Sequence, residues 1–316
     1  MSVLITGANG QVGKALQLTL KDENFAALTR DDLDLTNLEL IFDILNKYKP
    51  SAIIHLAAYT DVDGAEDKHD QAMCINHKAT SEIVSYCEKF GIPLIYLSSD
   101  YVFDGQKKES YIESDLINPL GVYGKSKALS EETIRKKLSS YVILRTSWVY
   151  SEIGVNFFNK IYDKFFTENK LSVVSDQIGS PTSAYFIAST ILLILKRIQN
   201  NTFTWGTYHL ANKGSFSWFD FTRLMLRRIS SRGINMQVLV DNILPIESKK
   251  YISKAKRPKN SMLNCSKIEK ELNIEMEPVE IALEKVIEKK KKMKRDIKRK
   301  GRVVARSTEE SLYSIK

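Results

Sequence analysis

The stretch that decides the fold is SVLITGANGQVG, residues 2–13. A short apolar run rich in β-branched residues is followed at once by a glycine-rich turn and then by the amphipathic segment QVGKALQLTLKD. This order predicts a strand, a tight turn and a helix. Glycines let the backbone approach a pyrophosphate, and the positive N-terminal end of the helix points at that charge. The context favours a dinucleotide site over a plain turn. Its predicted residues are Gly7, Gly10, Gln11, Val12 and Gly13.

Beyond this turn, apolar strands alternate with amphipathic helices up to residue 146. The predicted strands cover 25–29, 52–58, 93–99 and 141–146, and the helices lie near 37–47, over 72–90 and from Tyr123 onward. Such alternation indicates a parallel sheet with helices on both faces. After residue 150 the pattern becomes short strands and loops around two helices, near 183–199 and 217–232. We therefore expect an α/β protein, a Rossmann-type doubly wound parallel sheet with a smaller C-terminal substrate lobe.

Three domains are predicted: 1–150 for dinucleotide binding, with later segments returning to it, 151–284 as the substrate lobe, and 285–316 as a basic C-terminal extension. Residues 281–316 hold 13 Lys or Arg against 5 Asp or Glu, which accounts for nearly all of the net charge of +9. A solvated helix end or tail is favoured over a nucleic-acid contact, because the run EKKKKMKRDIKRKGR has no interleaved aromatic residues.

Composition points to a cytoplasmic protein. No apolar run approaches the roughly 20 residues that span a bilayer, so membrane insertion is not expected. The N-terminus has no basic region before its glycines, so no signal peptide is expected. Cys74, Cys87 and Cys265 lie far apart and form neither a disulfide framework nor metal-ligand spacing.

The end of the second strand bears on the choice of cofactor. A carboxylate there would bind the ribose 2′-hydroxyl of NAD, whereas Arg30 can pair with the 2′-phosphate of NADP. The neighbouring Asp31 and Asp32 weaken that argument, and a solvated strand end is the alternative for Arg30. We expect NADPH, with NADH tolerated. The other predicted cofactor contacts are Asp34 and Leu35 at the adenine, and Ala57, Ala58 and Tyr59 after the third strand.

The segment YGKSK places Tyr123 and Lys127 four residues apart. On a helix these positions share one face, so the phenol and the ammonium project together. The cation favours the phenolate and lowers the cost of moving the tyrosine proton. Lys127 is also placed to hold the nicotinamide ribose, beside Tyr123, and Ser99 to donate a hydrogen bond to a substrate carbonyl oxygen. The predicted catalytic residues are Ser99, Tyr123 and Lys127, and the predicted class is an oxidoreductase.

Seven motifs, in the order TGANGQVG, AAYTDVD, SSDYVFDG, YGKSK, RTSWVY, DQIGSPT and RPKNS, resemble those of the extended short-chain dehydrogenase/reductases. Within that superfamily the chain is most similar to the dTDP-4-dehydrorhamnose reductase family, over about residues 1–275. SSDYVFDG and DQIGSPT are the specific segments, since the other features are shared across the superfamily. The resemblance implies that a hydride passes from NADPH to the C4 ketone of dTDP-4-dehydro-L-rhamnose while Tyr123 protonates the developing alkoxide.

The resemblance also implies a nucleotide-sugar site. Its sugar pocket would be lined by Asp100, Tyr101, Phe103 and Trp148. The residues facing the nucleotide would be Asn156, Gln177, Pro181, Thr182, Arg257 and Asn260. The alternative for the aromatic members is a place in the hydrophobic core. For Asn156 and Gln177 it is an ordinary loop position.

Two positions depart from the family's pattern. Ala15 stands where some members carry an acidic residue that helps build a metal-bridged dimer, so we predict neither that metal nor that dimer, and a monomer or a homodimer remains open. Met262 stands where the family often has an arginine, which leaves the exact nucleotide-sugar open.

Two other functions fit the same motifs. One is a nucleotide-sugar epimerase of the superfamily. The other is a cofactor-binding partner protein similar to the regulatory subunit of methionine adenosyltransferase. The intact Ser99, Tyr123 and Lys127 favour an enzyme.

Overall fold

The structure is a computed structural model that describes residues 2–21, 23–233 and 236–295. Its strands are β1 (Val3–Thr6), β2 (Phe25–Leu28), β3 (Ala52–His55), β4 (Leu94–Ser99), β5 (Tyr141–Thr146), β6 (Val149–Tyr150), β7 (Leu171–Val174), β8 (Ile178–Gly179), β9 (Thr182–Ser183), β10 (Gly206–His209), β11 (Phe216–Ser217) and β12 (Ile243–Ile246). Its α-helices are α1 (Gln11–Thr19), α2 (Leu38–Tyr48), α3 (Val62–Asp67), α4 (His69–Met73), α5 (Ala79–Phe90), α6 (Val122–Lys137), α7 (Phe157–Thr167), α8 (Ala184–Gln199), α9 (Trp218–Ser230), α10 (Ser266–Leu272) and α11, described over 279–295.

The central sheet has six parallel strands in the order β10-β5-β4-β3-β1-β2. From β1 the chain first adds β2 on one side and then β3 on the other, so the order reverses beside β1. Ligands of open α/β sheets bind outside the carboxyl ends of the strands at such a reversal. The predicted Rossmann-type α/β fold is confirmed, and β10 is a later segment that returns to the sheet beside β5.

Helices cover both faces of this sheet because its strands carry apolar residues on both sides. In β1, Val3 and Ile5 pack into one hydrophobic cluster with α1 and α8, and Leu4 packs into the other with α2 and α5. Side chains of a strand alternate between the faces, so such a run is typical of a strand buried between two helical layers. The carboxyl edge of the sheet is thereby left for the connecting loops.

The lobe beyond residue 150 has its own core, built from α7, α9 and the short β7–β12 pair, with α11 packed against them. The helix α7 was not predicted from the sequence. The domain boundary expected at residue 285 falls inside α11, where Val286, Ile287 and Lys290 are buried. The packed part of the chain therefore extends at least to residue 290. The rest of the expected basic extension, residues 296–316, lies outside the described residues.

The helix expected over 72–90 is present and contains a π-helical turn. Here α4 is followed by one π-helical turn, Cys74–Lys78, and then by α5. π-Turns inside helices redirect backbone carbonyl groups, and they occur often at functional sites. Within the described ranges, no helix is both long and apolar enough to cross a membrane.

Candidate active site

A cavity of about 1990 Å³ opens at the carboxyl edge of the sheet, between the strand ends and the C-terminal lobe. The glycine turn after β1 forms part of its wall. Gly7 has a φ of +72°, and a Cβ there would lie 2.7 Å from the amide nitrogen of Ala57. A Cβ on Gly13 would lie 2.3 Å from the carbonyl oxygen of Gly7. The turn therefore accepts no side chain at either position, and its backbone is open to a phosphate at the start of α1.

All the cofactor residues predicted from the sequence line this cavity. Gly7, Gly10, Gln11, Val12 and Gly13 come from the turn, Arg30, Asp34 and Leu35 from the segment after β2, and Ala57, Ala58 and Tyr59 from the segment after β3. The predicted catalytic residues Ser99, Tyr123 and Lys127 line the same cavity. The fold thus brings the end of β4 and the start of α6 to the glycine turn.

The start of α6 is fixed by a residue from another helix. Gly121 precedes α6 and has no side chain to cap it, and Oε1 of Glu66 in α3 accepts a hydrogen bond from the amide of Val122 at 2.9 Å. Gly124 faces the turn after β4, where a Cβ would lie 2.1 Å from the carbonyl oxygen of Tyr101. Cap and close packing together set the position of the first turn of α6, which carries Tyr123.

Tyr123 and Lys127 lie in an environment that changes both of their pKa values. Burial raises the pKa of Tyr123 to about 12, while the neighbouring Ser99 hydroxyl acts to lower it and the Asp100 charge to raise it. Burial lowers the pKa of Lys127 to about 7, against the opposing effect of the Glu131 carboxylate. The phenol therefore keeps its proton at neutral pH, as a general acid requires, beside an amine that titrates there.

The hydroxyl of Ser99 is engaged within the protein. It donates to Oδ1 of Asp100 at 2.9 Å and accepts from the amide of Tyr101 at 3.1 Å. Oδ2 of Asp100 accepts from Ser147 at 2.8 Å, and burial raises the pKa of Asp100 to about 6, although hydrogen bonds from Ser261, Ser147 and Ser99 act to lower it. A serine has one hydroxyl hydrogen. Ser99 can therefore donate to a substrate oxygen only after this hydrogen turns away from Asp100.

A buried chain of hydrogen bonds runs beneath the catalytic pair. Thr80 donates to the backbone carbonyl of Asn76 at 2.6 Å, so its oxygen accepts from Nε2 of His55 at 3.0 Å. Nδ1 of His55 then accepts from Thr6 at 2.7 Å, whose oxygen accepts from the amide of Ala57 at 3.2 Å. Burial, followed by the charge of Lys127, lowers the pKa of His55 to about 3. The neutral ring therefore has one tautomer, and it orders the ends of β1 and β3.

Asn76, which the sequence did not single out, holds α6 against the segment after β3. Its Nδ2 donates to Oγ of Ser126 at 2.9 Å, and its Oδ1 accepts from the amide of Tyr59 at 2.7 Å. Ser126 in turn donates to the carbonyl of Tyr123 at 2.7 Å. The backbone carbonyl of Asn76, in the π-turn, accepts from Ser130 at 2.6 Å. Asn76 therefore positions the helix that carries Tyr123 and Lys127.

A buried ion pair anchors the next turn of α6. Glu131 is fully buried, and its Oε2 lies 2.7 Å from Nη2 of Arg145 in β5. Ser98 donates to Oε1 at 2.6 Å. Although burial acts to raise it, hydrogen bonds from Arg145 hold the pKa of Glu131 below its ordinary value. The carboxylate is thus charged, with its oxygens satisfied, one turn from Lys127.

The residues predicted to bind the nucleotide-sugar separate into two groups. Those that line the cavity are Asp100, Tyr101, Trp148, Asn156, Gln177 and Arg257. Those that do not are Phe103, Pro181, Thr182 and Asn260. Phe103 is fully buried and stacks on Tyr111 at a centroid distance of 4.1 Å. The Nδ2 of Asn260 lies within hydrogen-bond distance of the carbonyls of Lys107, Lys108 and Glu109. Phe103 was predicted to line the sugar pocket and Asn260 to face the nucleotide. The structure corrects both positions, because the side chain of Phe103 packs in the core and that of Asn260 makes hydrogen bonds to a loop.

Pro181 and Thr182 were also predicted to face the nucleotide, and neither residue lines the cavity. The backbone of Thr182 pairs with Val149 in a short parallel ladder, and its buried hydroxyl donates to the carbonyl of Ser180 at 2.9 Å. The DQIGSPT segment therefore contributes Gln177 to the cavity, while its last two residues connect the lobe to the strand ends.

An aromatic pair forms one wall of the cavity. Trp148 stacks on Trp218 with ring centroids 3.3 Å apart and an interplanar angle of 5°. Trp148 has a φ of +46°, which is unusual for a bulky residue, and a Cβ on Gly179 would lie 2.5 Å from its indole ring. Strained backbone of this kind persists where the surrounding structure holds it and is common at ligand sites. Trp218, which the sequence did not single out, is part of this wall.

Arg257 is tied to α3. Its Nη2 lies 2.7 Å from Oδ2 of Asp63. Although burial acts to raise it, hydrogen bonding to Arg257 holds the pKa of Asp63 at about 2. The segment that carries Arg257 is therefore attached to the same short helix whose Glu66 caps α6.

A glycine turn after β1 and a Tyr-x-x-x-Lys helix that meet at one edge of a parallel sheet define the class of the short-chain dehydrogenase/reductases, which are dinucleotide-dependent oxidoreductases. The comparisons with known proteins specify the family. Residues 1–292 match the RmlD substrate binding domain family. A dTDP-4-dehydrorhamnose reductase of Aggregatibacter actinomycetemcomitans is 36% identical over 288 residues, which cover 90% of this chain and 97% of that one. The chain therefore belongs to the dTDP-4-dehydrorhamnose reductase family.

Solved structures agree with this assignment. A dTDP-4-dehydrorhamnose reductase from Clostridium acetobutylicum ATCC 824 has a TM-score of 0.83 and 33% identity, covering 91% of this chain and 99% of that one. The dTDP-4-dehydrorhamnose reductase of Bacillus anthracis in complex with NADP has a TM-score of 0.82 and 35% identity over the same shares. The predictions of family and of enzyme class are confirmed.

Proposed function

We propose that the protein reduces the C4 ketone of dTDP-4-dehydro-L-rhamnose to dTDP-L-rhamnose with NADPH. The observation that carries the proposal is that Ser99, Tyr123 and Lys127 share one cavity with the glycine turn. The turn fits a dinucleotide, because its backbone lines the cavity at the N-terminus of α1, and close packing against neighbouring backbone keeps Gly7 and Gly13 free of side chains. Membership of the reductase family supports the substrate class.

When bound, NADPH would supply the hydride, and the residues of this chain would stabilise the charge that develops on the substrate oxygen. Tyr123 keeps its proton at neutral pH and donates it to that oxygen. The ammonium of Lys127 stabilises the phenolate that remains. Ser99 donates a second hydrogen bond to the oxygen once its hydroxyl has turned from Asp100. The stacked Trp148 and Trp218 offer an apolar face for the deoxysugar.

NADPH is the proposed cofactor rather than NADH because of Arg30. Its side chain is 71% exposed, and its Nε lies 3.9 Å from Oδ2 of Asp34, a distance that leaves the guanidinium available to a phosphate. Arginine binds phosphate oxygens with two parallel hydrogen bonds. The relative from Bacillus anthracis was solved with NADP, which supports this choice. The proposed site of action is the cytoplasm, where the thiols of Cys74, Cys87 and Cys265 would stay reduced.

The experiment is an assay of NADPH and NADH oxidation at the nicotinamide absorbance band with enzymatically generated dTDP-4-dehydro-L-rhamnose. Turnover should fall by at least about 100-fold in Tyr123→Phe, because the transferable proton is removed, while the Kd of NADPH changes little. Equal activity in that variant would contradict the catalytic assignment. Tight NADPH binding without oxidation would favour another 4-keto sugar nucleotide or the regulatory-subunit alternative. Product with inverted configuration and no net oxidation would favour an epimerase.

A further inference from the structure

The side chain of Gln11 joins the glycine turn to the loop at residues 151–156, which also lines the cavity. Oε1 of Gln11 accepts hydrogen bonds from Nδ2 of Asn156 at 2.7 Å and from Oγ of Ser151 at 2.9 Å. Its Nε2 approaches the carbonyl oxygen of Val149 at 3.5 Å. Both polar ends of this side chain are therefore directed at one segment about 140 residues later in the chain.

Asn156 passes this contact on to a helix. Its Oδ1 accepts from the amide of Asn159 at 2.9 Å and so caps α7. Its Nδ2 also lies within hydrogen-bond distance of the carbonyls of Ser151 and Ile153, at 3.0 and 2.9 Å, and so holds the loop close to α7. A displacement of Gln11 would therefore move both the loop and the first turn of α7.

The exposed face of α7 carries two cations to the cavity. Lys160 and Lys164 both line it, and they are one helical turn apart. A pair of ammonium groups at this spacing suits a diphosphate, with each amine approaching a different phosphoryl group. The position of α7 therefore bears on the binding of a nucleoside diphosphate.

The main chain of Gln11 faces the other ligand. Gln11 is the first residue of α1, and the helical hydrogen bonds begin when the amide of Lys14 donates to the carbonyl of Gly10 at 2.9 Å. The amide of Gln11 is thus among those that the helix leaves for an anion. One residue contacts the pyrophosphate site with its backbone and the loop 151–156 with its side chain.

We propose that Gln11 is a positioning residue that couples the two ligands. A dinucleotide on the glycine turn fixes Gln11, which holds the loop 151–156 and α7 in the arrangement that binds the diphosphate of the nucleotide-sugar. This inference rests on the proposed function, which supplies the two ligands. Thermodynamic linkage makes the coupling reciprocal, so each ligand raises the affinity for the other by the same factor. The loop keeps a second anchor, Nζ of Lys290, which donates to the carbonyl of Glu152 at 3.1 Å.

The test is the Kd of dTDP, measured by calorimetry on the full chain with and without saturating NADP⁺. The wild-type protein should bind dTDP about 5- to 20-fold more tightly with NADP⁺ present, a typical coupling between two sites. In Gln11→Ala this ratio should fall below about 2-fold, because the side chain that links turn and loop is gone.

Gln17→Ala is the matched control. Nε2 of Gln17 donates to the carbonyls of Ala8 and Gly13, at 2.8 and 3.1 Å, so this glutamine also supports the glycine turn but does not reach the loop. The Gln17→Ala variant should keep the wild-type ratio. Loss of the ratio in both variants would mean that any disturbance of the turn suffices, which would overturn the role assigned to Gln11.

Asn156→Ser tests the coupling from the loop side. Serine still caps α7 but is too short to reach Gln11, so the ratio should fall as in Gln11→Ala, and the double variant should lose nothing more. Two results would overturn the inference while the proposed function stands. One is that the wild-type protein binds both ligands but has the same Kd for dTDP with and without NADP⁺. The other is that Gln11→Ala keeps the full ratio of Kd values seen in the wild-type protein. Failure of the wild-type protein to bind dTDP at all would overturn the proposed substrate class, and the coupling with it.

Discussion

The ammonium nitrogen of Lys127 lies 4.1 Å from the centroid of the Tyr96 ring, over the face of a fully buried aromatic side chain in β4. A cation over an aromatic face is stabilised by about 0.5–2 kcal/mol. This contact acts against the burial that lowers the pKa of Lys127 to about 7. It also directs the amine towards β4, the strand that carries Tyr96. The face of the ring, rather than its hydroxyl, makes this contact.

Replacing Tyr96 with leucine should therefore move the alkaline limit of activity to lower pH. In the proposed mechanism reduction needs the Lys127 cation, so activity should fall as pH rises through the pKa of Lys127. Loss of the aromatic face should move that fall down by about 0.5–1 pH unit, the equivalent of about 1 kcal/mol. The measurement is the pH profile of kcat/KM for NADPH, which reports groups of the free enzyme. Tyr96→Phe keeps the face and should keep the wild-type profile. A shift in both variants alike would assign the effect to the hydroxyl.

Asp100 should make stability depend on pH in the direction opposite to most carboxylates. Its pKa is raised from 3.8 to about 6, chiefly by burial, so the folded state binds more protons than the unfolded state between these values. Stability therefore falls as pH rises through this window, at a cost of up to about 3 kcal/mol above it. At pH 8 the unfolding free energy of Asp100→Asn, measured by urea unfolding, should exceed that of the wild type by about 1–3 kcal/mol. This difference in unfolding free energy should shrink at pH 5.

Asp104 provides the contrasting control for that prediction. Its pKa is lowered, chiefly by the hydrogen bond from the amide of Gln106, with burial acting to raise it. Asp104→Asn should therefore reduce stability at pH 8 rather than increase it. An advantage of Asp100→Asn that is equal at both pH values would show that its carboxylate is not the cause.

The cap that Glu66 places on α6 should matter for both stability and turnover. Glu66→Ala removes the acceptor for the Val122 amide and should cost about 1 kcal/mol of unfolding free energy, seen as a lower Tm. Turnover should fall as well, because the first turn of α6 carries Tyr123. Glu66→Gln retains an acceptor oxygen at the same place and should behave nearly as the wild type. Equal losses in the two variants would mean that the charge of Glu66, rather than its acceptor, is required.

Arg30 should control the discrimination between the two dinucleotides. Arg30→Glu replaces a cation at the predicted 2′-phosphate position with a carboxylate, so the KM for NADPH should rise by about 10-fold or more while that for NADH changes little. Arg30→Gln removes the charge alone and should have an intermediate effect. The ratio of kcat/KM values for the two cofactors measures the change. If both cofactors shift alike, Arg30 does not contact the 2′-phosphate.

The features that sequence alone predicted are those set by local spacing. The glycine turn between β1 and α1, the alternation of strands and helices, and the common face of Tyr123 and Lys127 all follow from residues within a few positions of one another. Backbone geometry fixes such relationships without reference to the rest of the chain. The strand at Tyr141–Thr146 begins and ends at the residues predicted from the sequence.

Tertiary structure decided what lies next to these local features. Glu66 caps a helix that begins 56 residues later, and Asn76 holds Ser126 across 50 residues. The partners of such polar groups depend on how the elements pack, and a buried donor or acceptor takes whichever partner the fold brings close. Neither contact has a periodicity or a motif that could have pointed to it.

Aromatic and amide side chains show the same division. Phe103 and Trp148 both stand in motifs of the family, yet Phe103 stacks in the core while Trp148 lines the cavity on Trp218. Hydrophobicity alone does not distinguish these positions, since burial in a core and burial against a ligand involve the same contacts. Gln11 was predicted to contact the cofactor because of its place in the glycine turn. The contact of its side chain with Asn156 follows only from the folded structure. The sequence by itself thus determined the local geometry of the functional groups, and long-range packing determined which side chains contact them.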